Sequence, residues 1–153
     1  MKCRTNYNNG YTLIELMVVV LIISLLLGIS INGINNLIQW GKLNTAAALL
    51  SSELKNTQAR AFYEGVYYKL QFWPTLDRYR IYNETELYKD IQLEDINLFN
   101  TNFTDDNLYF YPNGVPGQGG TVTLKNKKGK VLYVIMTPVT ARVRISPDPP
   151  ENW

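Results

Sequence analysis

Three hydrophobic rhythms follow one another along the chain. From Tyr11 to Ile31 apolar residues run almost unbroken, with Glu15 the one ionisable side chain among them. As a helix at ~1.5 Å per residue this stretch reaches about 31 Å, close to the thickness of a bilayer core. The spacing then becomes helical and one-sided: Ile34, Leu37, Ile38, Leu43, Ala47, Leu50, Leu54, Ala61 and Phe62 recur mostly at intervals of three, four or seven, which predicts one buried face. Lys42, Asn44, Glu53, Lys55, Asn56 and Arg60 fall largely off that face. One helix from about Tyr11 to Phe62 is expected, with Gly65 as its stop.

From Val66 the period drops to two. Val66, Tyr68, Leu70 and Phe72 alternate with Tyr67, Lys69, Gln71 and Trp73, which predicts a strand. Pro74–Asp77 turns it into a second strand at 78–82. Residues 83–107 are polar with short apolar pieces and read as loops and short strands. Leu108–Tyr111, Thr121–Lys125, Val131–Met136 and Ala141–Ile145 then predict an antiparallel meander, closed by a Pro-rich tail at 147–153 that cannot enter a sheet interior. The expected class is α+β, a long N-terminal helix packed on a C-terminal antiparallel β domain. About 120 residues remain beyond the apolar run, enough for one modest core.

Composition narrows the chemistry. Histidine is absent and the one cysteine is Cys3, which removes the commonest zinc, haem and acid–base constellations. No Ser, Thr or Lys has a base beside it to make a nucleophile, so the chain does not read as an enzyme and calls for no cofactor or metal. The glycines of 114–120 lack the Gly-Lys-Ser/Thr and following helix of a phosphate loop and read as a turn. Asp105-Asp106-Asn107 supplies too few oxygens for a calcium site and reads as a solvated turn.

Glu15 needs its own explanation, because an acid deep in a bilayer costs about 2.5–3.5 kcal/mol. Either it lies near the headgroups, or a cation comes to it. No Lys, Arg or His occurs between Glu15 and Lys42, and one candidate cation is an α-amino group, which requires a new N-terminus to be made nearby. Gly10, an aromatic residue at Tyr11, Thr12-Leu13-Ile14-Glu15 and the apolar run resemble the N-terminus of type IV prepilins and pseudopilins. That resemblance implies cleavage between Gly10 and Tyr11 by a prepilin peptidase, which also methylates the new amine of Tyr11. It implies that Glu15 pairs with the terminal amine of a neighbouring subunit, and that the partners are other pilin subunits and an inner-membrane assembly platform. The family usually has Phe where Tyr11 stands.

The expected organisation is a cytoplasmic leader at 1–10, a transmembrane helix at 11–33, an amphipathic half at 34–63 and a β domain at 64–146. Lys2 and Arg4 ahead of the span place the N-terminus inside and the β domain outside. An ordinary secretory signal, cut near Gly28-Ile29-Ser30, is the competing reading. More narrowly the chain resembles the GspH, FimT and ComGD branch of minor pseudopilins. The residues are Asn36-Leu37-Ile38 leading to Ala46-Ala47-Ala48, then Gln58-Ala59-Arg60-Ala61, Phe110-Tyr111-Pro112-Asn113-Gly114, Thr121–Leu124 and Ala141-Arg142-Val143-Arg144-Ile145. Relatives usually have Gly-Arg where this chain has Ala141-Arg142.

Charge is segregated within the β domain. Residues 77–106 carry eight acidic and three basic side chains, and 107–146 carry six basic and none acidic. Lys125, Lys127, Lys128, Lys130, Arg142 and Arg144 form a basic module suited to phosphate contacts. Strand alternation puts both arginines on one face. FimT-like minor pilins are associated with DNA uptake, so DNA is a candidate partner, set against a solvated edge guarded by lysines or a surface for acidic neighbours. A reading of another class is a membrane-anchored, non-assembling β module whose Tyr67, Tyr68, Trp73, Tyr79 and Tyr82 bind sugar.

Overall fold

The structure, a computed structural model, describes residues 11–138 and 140–150 of the 153, and only the backbone at 29–33. Among the described residues there are one α-helix, α1 (Leu13–Glu64), two single-turn 3-10 helices at Pro74–Leu76 and Thr104–Asp106, and eight strands: β1 (Tyr68–Trp73), β2 (Arg78–Asn83), β3 (Glu86–Gln92), β4 (Ile96–Thr101), β5 (Asn107–Phe110), β6 (Gly120–Asn126), β7 (Val131–Thr137) and β8 (Arg142–Ser146). The described chain falls into two compact units, one ending at Leu37 and the other starting at Ile38.

In the second unit α1 lays Leu43, Ala47, Leu50, Leu54 and Ala61 into the core, the face that the spacing predicts. Thr57 joins them. The predicted face is too long at both ends, however. Ile38 and Phe62 are exposed, the buried side chains of α1 running from Leu43 to Ala61, and Ile34 and Leu37 of the first unit are exposed as well. Glu53, expected in solvent, is buried and held by Lys89 from β3. The helix ends one turn past Ala61, where Gly65 takes a positive φ of 67° and its N–H closes on the Ala61 carbonyl at 3.1 Å. That left-handed step is the one glycine tolerates best.

Two four-stranded antiparallel sheets form, ordered β3-β2-β1-β5 and β4-β6-β7-β8. The expected final meander is thus shorter than the sequence suggests. β5 leaves it for the first sheet, pairing Tyr68 with Phe110 and Leu70 with Leu108, because Leu108 and Phe110 alternate inward and bury there. The polar segment 83–107 supplies two full strands. β3 is an edge exposed along most of its length, so it lacks the alternation by which a strand is recognised. β4 pairs with β6 across a register shift between Leu98 and Asn100.

Tyr68 and Tyr79 are core residues, while Trp73 lies under Arg80 and Tyr82 under Lys69, at 4.3 and 4.4 Å. Of the five aromatic residues named for a sugar-binding face, two are therefore in the core, two lie under cations and Tyr67 alone is exposed without a cation over its ring. Gly114 turns with φ 73°. Asp106 accepts a hydrogen bond from the Thr101 hydroxyl at 2.5 Å, and no metal cluster exists among the described residues.

Candidate functional site

Two groups of residues carry the functional expectations, and they lie in different units. In the first, Gly10 is outside the described residues, as are the rest of the leader and residues 151–153 of the tail. Tyr11 is 90% exposed. Thr12 and Glu15 close a reciprocal cap at the start of α1: the Glu15 N–H donates to Thr12 Oγ1 at 3.3 Å, and the Thr12 N–H donates to Glu15 Oε2 at 3.4 Å. This is the Ser/Thr-x-x-Glu capping box, which satisfies two helix-end donors at once. The spacing was visible in Thr12-Leu13-Ile14-Glu15, but a search for the missing cation passes over it. The helix N-terminus favours the negative charge of Glu15, and among the described residues no ion pair is made by it.

Past the cap, the apolar side chains from Leu13 to Leu27 are each between 48% and 77% exposed. A continuous exposed apolar surface of this size marks a contact with lipid or protein. Among the described residues no helix is long and apolar enough to cross a membrane.

In the second unit the six basic residues separate. β6 and β7 meet through a turn that carries Lys127, Lys128 and Lys130, whereas β8 pairs Arg144 with Ile135 and Arg142 with Thr137, toward the other end of β7. From Val131 to Thr137 that strand extends about 20 Å at ~3.3 Å per residue. Arg142 and Arg144 are exposed on edge strand β8 with Val143 buried between them, as alternation predicts, and no acidic partner is found for either among the described residues.

Three of the four lysines are engaged through their side chains. Lys127 pairs with Asp95, which also holds Lys42 of α1 at 2.5 Å. Hydrogen bonds first from Lys127 and then from Lys42 hold the Asp95 carboxyl down at about 2. Lys125 lies over the Phe99 ring at 5.0 Å and Lys130 over the Trp40 ring at 5.3 Å. Asn126 organises the turn: its Oδ1 accepts from the N–H groups of Lys128 and Lys130 at 3.0 and 2.9 Å, and its Nδ2 donates to the Gln39 carbonyl at 3.2 Å.

Residues 5–31 match the family model described as the prokaryotic N-terminal methylation motif. No curated protein sequence matches the chain. Among solved structures it is similar to the minor pseudopilin EpsH from the Type 2 Secretion System of Vibrio cholerae, with a TM-score of 0.58 at 11% identity over 69% of this chain and 96% of that one. It is likewise similar to the type IV minor pilin FimU of Pseudomonas aeruginosa, with a TM-score of 0.56 at 12% identity over 68% and 92%. At these identities the likeness is one of fold. The chain thus carries a prokaryotic N-terminal methylation motif at its start and a fold similar to that of a minor pseudopilin and a type IV minor pilin.

Proposed function

We propose that the chain is a minor pilin or pseudopilin, a structural subunit of a type IV pilus-like filament. It is made as a precursor, cut between Gly10 and Tyr11 and methylated at Tyr11 by the prepilin peptidase. Residues 11–33, which include the apolar Ile29 and Ile31, then hold it in the membrane until the assembly platform passes it to other subunits. The observation that carries this reading is the continuous exposed apolar helix surface behind a capped Glu15, inside the segment that matches the methylation motif. In lipid or in a filament that surface is covered. In water it would remain a liability.

Glu15 has a second task in this scheme. A terminal amine of a neighbouring subunit at ~4 Å would be attracted by about 4 kcal/mol at an effective dielectric near 20, which exceeds the worth of the Thr12 hydrogen bond it replaces. Alkaline carbonate extraction tests the anchor. The full chain stays with the membrane pellet and a chain lacking 11–33 is released; release of both would sink the reading, and a retained chain that never cross-links to other subunits would favour the non-assembling anchor.

The GspH, FimT and ComGD branch fits the layout, and it leaves two systems, type II secretion and competence or DNA uptake. Uptake is favoured by one feature, the exposed and acid-free pair Arg142 and Arg144 on β8. Contacts to a duplex backbone through these arginines would be strongly weakened by salt. Their replacement by alanine is expected to reduce binding about equally for all sequences.

A further inference from the structure

The β6–β7 turn is a lysine loop fastened to α1 and not a free hairpin tip. Asn126 fixes it from both sides, bonding the turn's own amides and the helix carbonyl of Gln39. Gly129 supplies the positive φ of 81° that closes it. Lys130 stacks on Trp40, and Lys127 and Lys42 share Asp95. Lys42 and Lys127 thereby meet at Asp95, Lys125, Lys128 and Lys130 lie on the same turn and the strand that leads into it, and no acidic residue occurs between 107 and 147. The surface stays cationic after its internal pairing is counted.

Its place in the chain matters as much as its charge. Trp40 and Lys42, the helix residues that receive the loop, follow the last residue of the apolar run, Ile31, by nine and eleven positions. We propose that this lysine turn, with Trp40 and Lys42, is a docking surface for the anionic phospholipid headgroups of the membrane that holds the chain, and steadies the β domain there before assembly. The inference rests on the reading of 11–33 as a membrane anchor.

The chemistry is complementary in two respects. Lysines near an anionic bilayer gain attraction worth roughly fivefold in affinity each. A tryptophan half-buried in its own domain, with an aromatic body and a polar N–H, suits the headgroup level. Because Asn126 and Asp95 already hold the loop in one arrangement, little ordering is lost when it meets the surface. The arginine pair of β8, toward the far end of β7, plays no part in this contact.

The test uses the full chain in nanodiscs of zwitterionic lipid alone or with anionic phosphatidylglycerol, with lysine acetylation rates read by mass spectrometry. Lys127, Lys128 and Lys130 are expected to react about fivefold more slowly in the anionic discs, with the difference abolished near 0.5 M salt and with Lys55, elsewhere on α1, unchanged. Equal rates in the two discs overturn the inference alone. Protection of the same three lysines by duplex DNA and not by anionic lipid also overturns it. A chain that enters neither disc overturns the anchoring reading, and this inference with it.

Discussion

Thr12 and Glu15 cap one another at the first turn of α1, each accepting the other's backbone N–H. The carboxylate that a membrane segment would otherwise have to tolerate is thus already satisfied within its own chain. Capping and subunit pairing use different properties of Glu15. The cap needs an acceptor oxygen, whereas a terminal amine needs a negative charge.

That difference predicts separable variants. Glu15→Gln should keep the helix start intact, seen as unchanged amide-exchange protection at residues 12–16, while incorporation into filaments falls to background. Thr12→Ala should cost about 1 kcal/mol of local helix stability and leave incorporation largely intact. Loss of incorporation in Thr12→Ala alone would place the work in the cap and not in the charge.

Ala141 stands where the left-handed turn before β8 demands φ of 49°, a conformation that costs an L-residue about 1–2 kcal/mol. Ala141→Gly should relieve it, less about 0.5–1 kcal/mol of added unfolded-chain entropy. The net gain of about 0.5–1 kcal/mol corresponds to a Tm higher by about 2–5 °C in calorimetry. A lowered Tm would mean that the turn is not strained.

Gly120 has no room to grow. A Cβ there would meet the Phe103 ring at 2.4 Å and Asn102 Oδ1 at 2.8 Å, and that same Asn102 oxygen accepts the Thr121 N–H at 2.6 Å. Gly120→Ala should destabilise the β domain by about 1–3 kcal/mol, measured by urea unfolding. An unchanged midpoint would show that Phe103 moves freely.

Asp95 sets an acid limit on the clamp between α1 and the β6–β7 turn. Its carboxyl is held at about 2 in the folded chain, below the ~3.9 of an unperturbed aspartate. The unfolded chain therefore takes up the proton first as pH falls. The clamp's contribution is complete above about pH 4–5 and is lost as pH drops through about 2. Asp95→Asn should flatten that part of the stability profile, and an unaltered acid limb would rule out the clamp.

Local patterns made much of this fold legible. The 3.6-residue spacing of Leu43, Ala47, Leu50 and Leu54 and the alternation of β1 each follow from one face meeting one core. Pairings set by distant chain segments were not legible. β3 is an exposed edge, so its residues carry no alternation, and β5 chooses the first sheet because Tyr68 and Leu70 wait there, some forty residues earlier. Lys89 reaches Glu53 across thirty-six positions, beyond any local rule.

The candidate site divides in the same manner. The methylation motif around Tyr11 and Glu15 could be recognised in the sequence because its residues are contiguous. The basic residues counted as one module in the sequence were parted because a β-hairpin sends its turn and its strand ends in opposite directions. Asn126, which joins the lysine turn to the helix, gave no signal beyond its position at a turn.

The account stands most directly on the N-terminus of the chain recovered from membranes of cells that contain a prepilin peptidase. Intact-mass and N-terminal fragment spectra should show a chain that begins at Tyr11 and carries one added methyl group on its amine. A chain that still begins at Met1, or one that begins beyond Gly28, would contradict it.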